Sequence, residues 1–140
     1  MLAEVVMAAQ PKRFLSEDEY VAFELTSSRK HECYRGEVFA MAGGTEAHHL
    51  LAGNTYAALH AQLRRRPWGV YNSDQRVKVV PTGLYTYPDL TVVCGEAQFL
   101  EPARLTIVNP MVLVEVLSPS TERYDRGMKF QPDCSGRLAD

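Results

Sequence analysis

Apolar and polar positions change period several times along this chain, and each change marks an element. Around Ser16 the pattern turns helical. Ser16 with Glu19 makes a capping box, Leu15 with Tyr20 suits a hydrophobic staple, and Tyr20 and Phe23 share one face of a short helix ending near Ser27. Residues 30–42 then alternate with period two, as a pair of strands around Arg35-Gly36. Val38, Ala40 and Ala42 fall on one face; Glu37, Phe39 and Met41 fall on the other. Gly43-Gly44 breaks this alternation, and Thr45 is a good N-cap for a second helix whose apolar stripe is Leu50, Leu51, Ala57, Ala58 and Ala61. Arg64, Arg65 and Arg66 suit the negative end of that helix dipole, and Pro67 stops the helix.

Strands follow at residues 70–72, 76–80, 88–94 and 111–117, with a turn at Pro81-Thr82-Gly83. The last two are nearly apolar throughout, which predicts central strands covered on both faces. Residues 95–110 between them read as a loop or short irregular excursion. Ser118-Pro119-Ser120-Thr121 caps a final helix that Pro132 ends. The sum is an α/β domain with a mixed β-sheet flanked by helices, over residues 11–130. Residues 1–10 read as a disordered N-terminal segment and 131–140 as an irregular tail.

Composition narrows the class. With 140 residues, 46% hydrophobic and 23% charged, the chain suits one globular domain with a proper core. A net charge of −2 excludes a nucleic-acid binder that works by bulk attraction. It leaves room for a local basic patch, and Arg64 to Arg66 are either such a patch or a solvated helix end. Cys33, Cys94 and Cys134 form no C-x-x-C pair, which fits a reducing cytoplasm. No apolar run approaches the roughly 18 residues of a membrane span, and residues 1–10 lack the basic start of a signal peptide.

The informative chemistry is two carboxylates set in apolar strands, Asp89 after Pro88 and Glu115 between Val114 and Val116. A buried charge costs several kcal/mol unless it is paired, hydrogen-bonded or metal-bound. If the two strands are neighbours, both acids come near one point, where a hard cation such as Mg²⁺ is held by one or two carboxylates plus substrate phosphate. The other reading puts each acid at a strand end, paired with a surface arginine. Thr45, His48 and His49 open a helix after two glycines, a place that can hold a phosphate or simply present surface histidines. The scattered Cys and His do not offer zinc-ligand spacing.

Resemblance separates these readings. Pro88-Asp89 followed by Glu115 looks like the PD-(D/E)xK nuclease core. More closely, the ordered stretches Leu15-Ser16-Glu17-Asp18-Glu19-Tyr20, Arg35-Gly36-Glu37-Val38-Phe39-Ala40-Met41-Ala42-Gly43-Gly44-Thr45, Thr86-Tyr87-Pro88-Asp89-Leu90, Asn109-Pro110, Glu115-Val116-Leu117-Ser118-Pro119-Ser120-Thr121 and Tyr124-Asp125-Arg126-Gly127-Met128-Lys129-Phe130 resemble the bacterial Uma-type restriction-endonuclease family. The resemblance implies a restriction-endonuclease-like fold and phosphodiester hydrolysis of DNA with Mg²⁺ or Mn²⁺. It gives Asp89 and Glu115 as metal ligands. The expected partners are DNA and a second copy of the chain, as a homodimer. The lysine expected two positions after the glutamate is Leu117, and Lys129 on the next helix stands in for it; its alternative is an ion pair with Asp125. Glu37 is a further candidate acid or an exposed hairpin residue, and His49 a further candidate at the site. Family members extend the last helix and add strands, whereas here Gln131-Pro132 breaks it. The expectation is therefore an incomplete domain, lacking C-terminal strands, and an impaired nuclease. The alternative is a non-catalytic remnant or a DNA-binding or assembly module.

Overall fold

The computed structural model describes residues 14–41 and 43–118. The expectations for residues 1–10, for the last helix with Lys129 and for residues 131–140 lie outside the described residues.

Helix α1, Glu17–Thr26, starts where its cap dictates. The Ser16 hydroxyl accepts from the Glu19 N–H at 3.2 Å, and the Glu19 carboxylate accepts from the Ser16 N–H at 2.7 Å. Such a cap is worth about 1 kcal/mol. Glu17, Asp18 and Glu19 in the first turn also suit the positive end of the helix dipole. Tyr20 is fully buried and packs with Cys33 and Tyr85, and Leu15 closes over this cluster. Strands β1, His31–Tyr34, and β2, Glu37–Ala40, form the expected hairpin. Its turn residues Arg35 and Gly36 both have positive φ, 50° and 81°, as a two-residue hairpin turn requires. A side chain at Gly36 would also meet the Leu15 carbonyl at 2.9 Å.

The hairpin belongs to a five-stranded sheet in the order β2-β1-β5-β4-β7, with β4 at Arg76–Val79, β5 at Leu84–Thr86 and β7 at Thr106–Ile107. Among the described strands of this sheet only the β4–β7 pair is parallel. A second, antiparallel sheet has the order β3-β6-β8: Trp68–Asn72, Leu90–Cys94 and Val112–Val114. Val77, Val93 and Ile107 form the buried cluster that joins the two sheets, with Tyr71, Phe99 and Leu113 around it. Helix α2, Glu46–Leu63, lies against β3. No helix among the described residues is long and apolar enough to cross a membrane.

The mixed α/β architecture is as expected, with four differences. Strands β5 and β7 occupy segments read as turn-flanking chain and loop; at three and two residues they are too short to show a period. The strands at 88–94 and 111–117 are shortened to β6 and β8, so both acids flank the ladder. Pro88 has no N–H to give it, and the Asp89 carboxylate takes the Val116 N–H that a ladder carbonyl would otherwise receive. Strand β6 is buried as predicted, but β8 is an edge strand among the described residues. Met111 is 62% and Val112 45% exposed, so β8 is not covered on both faces. Finally, the α2 stripe faces outward: Leu50 and Leu51 are 58% and 57% exposed, and Ala57, Ala58 and Ala61 are exposed as well. The half-buried face is His48, Ala52, Thr55, Tyr56, Leu59 and Leu63. No Asp, Glu, Lys or Arg lies between Ala47 and Leu63, so no charge marks a solvent side.

Candidate functional site

Thr45 caps α2 by accepting from the His48 N–H at 3.3 Å. This fixes the first turn, and His48 projects from it toward Asp89, which immediately precedes β6. The His48 Nε2 lies 2.8 Å from Asp89 Oδ1, and the Val116 N–H donates to Asp89 Oδ2 at 2.8 Å. A carboxylate only accepts, so in this contact Nε2 carries the imidazole proton. Both partners are largely shielded, His48 at 19% and Asp89 at 13% side-chain exposure.

Glu115 immediately follows β8 and is half-buried. The antiparallel register pairs Leu90 with Val114, and one further step sets Asp89 opposite Glu115. Directly opposed residues of an antiparallel pair share a face. The sheet therefore brings these two acids to one end of adjacent strands.

Asp89 and His48 line an open cavity of about 910 Å³. Its wall includes Gly44, His49, Tyr56, Tyr87, Arg29 and Lys30. Tyr87 donates to Glu24 Oε1 at 3.0 Å, and burial, reinforced by the Glu24 charge, pushes its phenol up to about 12. It therefore remains a neutral donor near neutral pH. Lys30 Nζ donates to the Ser73 carbonyl at 3.0 Å, pairs with Asp74, and sits 5.6 Å from the centre of the Tyr87 ring.

The donor set can be weighed against a divalent cation. Among the described residues each Asp89 oxygen has one partner, and an oxygen with one partner has a further lone pair to offer. Two carboxylates at one strand end supply the hard oxygens that Mg²⁺ and Mn²⁺ prefer. Among the described residues no group of three or more His, Cys, Asp or Glu is gathered as a metal cage. A site of one or two carboxylates completed by water and substrate oxygen fits what is present.

The other candidates fall as follows. His49 lines the cavity and meets His48 edge-on, with ring centres 5.7 Å apart, so Asp89 is held by the neighbour of the histidine singled out. Glu37 opens β2 opposite Tyr34 and bridges Phe14; it is not among the cavity-lining residues. Arg64 is the C-cap of α2 and Arg66 lies 5.9 Å from the Trp68 ring centre, and neither lines the cavity. Lys129 lies outside the described residues. The roles of Tyr87 and Lys30 carried no sequence signal, because their partners are distant in the chain. His48 did have one: it stands three residues after the N-cap, following two glycines.

A family model described as "Putative restriction endonuclease" matches residues 17–132. The chain belongs to the Uma2 family. The matched stretch contains Asp89, Glu115, His48 and Lys129. Two proteins of Synechocystis sp. (strain ATCC 27184 / PCC 6803 / Kazusa) are similar to it. Uncharacterized protein slr1290 is 37% identical over 131 residues, which is 94% of this chain and 67% of that protein. Uncharacterized protein sll1609 is 29% identical over 125 residues, 89% of this chain and 71% of that protein. Among solved structures, the crystal structure of "a putative nuclease belonging to DUF820" from Anabaena variabilis ATCC 29413 superposes with a TM-score of 0.65 at 15% identity. It covers 82% of this chain and 65% of that one, so the chain spans about two thirds of the length of these proteins. At that identity the likeness shows the fold, and the fold of this Uma2 member is the restriction-endonuclease-like α/β fold.

Proposed function

We propose that this chain carries the acidic site of a divalent-metal-dependent endonuclease that hydrolyses DNA phosphodiester bonds. The observation that supports it best is the placing of Asp89, opposite Glu115 at the end of the paired strands β6 and β8, on an open cavity in a chain of the restriction-endonuclease family.

In this reading Asp89 and Glu115 hold the ion, Mg²⁺ or Mn²⁺. When bound, such an ion polarises a phosphate and lowers the pKa of water. The chain's own residues do the rest. Val116 N–H and His48 fix the direction of the Asp89 carboxylate. Arg29 and Lys30 at the cavity wall offer positive charge to neighbouring phosphates, contacts that position the strand and carry no sequence information. Lys129 supplies a cation to the scissile phosphate, where developing negative charge is stabilised. Cutting both strands of a duplex calls for two such sites, so the reading includes a homodimer acting on DNA in the cytoplasm. Glu37 is no part of it, and His49 belongs to the cavity wall.

The test is nicking of supercoiled plasmid by purified protein with Mg²⁺ or Mn²⁺. Nicking that EDTA and Asp89→Asn both abolish is expected. DNA binding without any metal-dependent cleavage would favour a non-catalytic DNA-binding module instead.

A further inference from the structure

Asp89 is held from two sides, and the side that belongs to α2 looks built for that purpose. The N3 position of a helix whose N-cap is Ser or Thr is ordinarily best filled by Glu or Gln, which reaches back to the cap. Helix α1 follows that rule with Glu19. In α2 the same position holds His48, which leaves its own cap and crosses to Asp89 Oδ1 at 2.8 Å. The space for this is made by Gly44. A Cβ at that position would lie 2.7 Å from His48 Cδ2 and 2.9 Å from Cγ, closer than atoms of a rigid ring can stand. Gly44 has no positive φ that would otherwise call for glycine. The two features support each other: a side chain that does not reach back to the cap its own N–H completes, and a neighbour without the side chain that would push it away.

We propose that His48, seated by Gly44 and Thr45, is a positioning residue that orients the Asp89 carboxylate for metal binding. With Oδ1 on His48 and Oδ2 on the Val116 N–H, the carboxylate cannot rotate. Its remaining lone pairs keep one direction before any ion arrives. The inference rests on the metal-site reading above, but its geometric half concerns the metal-free protein alone. Partners that orient a metal ligand typically change metal affinity by about 10–100-fold when removed.

The experiment compares native protein with His48→Ala, His48→Phe, Gly44→Ala and Asp89→Asn. In metal-free samples, ¹⁵N–¹H spectra are read at the Val116 amide and, by histidine labelling, at the His48 Nε2–H. Mn²⁺ affinity is then measured by calorimetry, with thermal melting as the control for folding. A protected Nε2–H is expected in native protein. The Val116 amide should shift in all four variants, and Mn²⁺ binding should weaken about 10–100-fold in both His48 variants. Gly44→Ala should resemble them although His48 is still present. His48→Phe is decisive, because it keeps a ring and loses the donor. Native-like Val116 resonance and Mn²⁺ affinity in His48→Phe, or in Gly44→Ala, would overturn the inference. If native protein binds no Mn²⁺, the metal reading fails, and the Val116 and Nε2–H signals alone decide whether His48 orients Asp89.

Discussion

The two helices among the described residues begin alike and are used differently. Both open on a hydroxyl cap, Ser16 for α1 and Thr45 for α2. In α1 the third residue, Glu19, closes the capping box, three acids fill the first turn, and Tyr20 is sealed against Cys33 and Tyr85. In α2 the third residue reaches out to Asp89, one acid remains in the first turn, and none of the 18 residues is fully buried. One helix spends its local chemistry on stability; the other directs it to a cavity. The sheets divide in the same way. The first holds a dense buried polar network around Arg76 and Glu32, and the second carries the two acids at its end.

This contrast predicts separable losses. The largest should come at the second sheet. Asp89→Asn or Glu115→Gln should lower the nicking rate by about 10²–10³-fold, the effect of losing a few kcal/mol of metal-borne stabilisation. The folded midpoint should move little by comparison. If both variants cut DNA at native rates, the acids are structural. In the first region the order reverses. Tyr20→Ala empties a fully buried ring site, where truncation of an aromatic costs about 3–5 kcal/mol. Denaturant unfolding should show it; a loss below about 1 kcal/mol would mean the α1 cluster is looser than its burial implies.

The polar network gives the comparison a pH axis. Burial raises the Glu101 carboxyl, but bonds from the Thr106 hydroxyl and N–H, with the Arg76 charge, outweigh it, and the group lies below the usual carboxylate range. A carboxylate lowered by folding adds stability that is fully present above its unfolded value. That stability is lost as pH falls through the folded one. Melting scans should therefore show native protein losing stability on acidification below the ordinary carboxylate range, with a shallower loss in Glu101→Gln. Equal slopes would remove Glu101 from the account.

The caps come next in size. Ser16→Ala and Thr45→Ala should each cost about 1 kcal/mol. They should differ in one respect: Thr45→Ala should also disturb the Val116 amide through His48, and Ser16→Ala should leave that signal unchanged. A Val116 signal that responds to both, or to neither, would break the division between the two helices.

Much of this was legible in the sequence where a signal is local. Both caps, the Arg35-Gly36 hairpin, the β4 alternation and the mixed α/β class follow from neighbouring residues. Asp89 and Glu115 stood out because they interrupt apolar runs, and the register of β6 and β8 explains why they flank the same end of that ladder. What escaped depends on distant partners. The His48–Asp89 contact spans 41 residues, and the Tyr87–Glu24 contact spans 63. Strands β5 and β7 are defined by pairing with β1 and β4 and not by their own pattern. The covered face of α2 could not be chosen, because a helix without charges from Ala47 to Leu63, its polar residues scattered around it, has no charged side to mark solvent.

That uncharged helix yields the smallest predicted effect and the sharpest test of the contrast. Leu50 and Leu51 are more than half exposed, so replacing each with glutamine removes little buried surface. Substitutions at open surface sites usually stay within about 0.5 kcal/mol. Glutamine also has nearly the helix propensity of leucine, so the backbone preference is almost unchanged. Leu50→Gln and Leu51→Gln should therefore each shift the unfolding midpoint only slightly, whereas a change on the half-buried face, such as Leu59→Gln, should cost more. An exposed apolar stripe on a helix is, however, often covered by a partner surface. If the outer-face variants prove as costly as Leu59→Gln, the outer face is buried in solution. The remedy is to repeat the melts over a range of protein concentration. A midpoint that rises with concentration in native protein and not in the variants would assign that cover to a second copy of the chain. A constant midpoint would assign it to residues of the same chain.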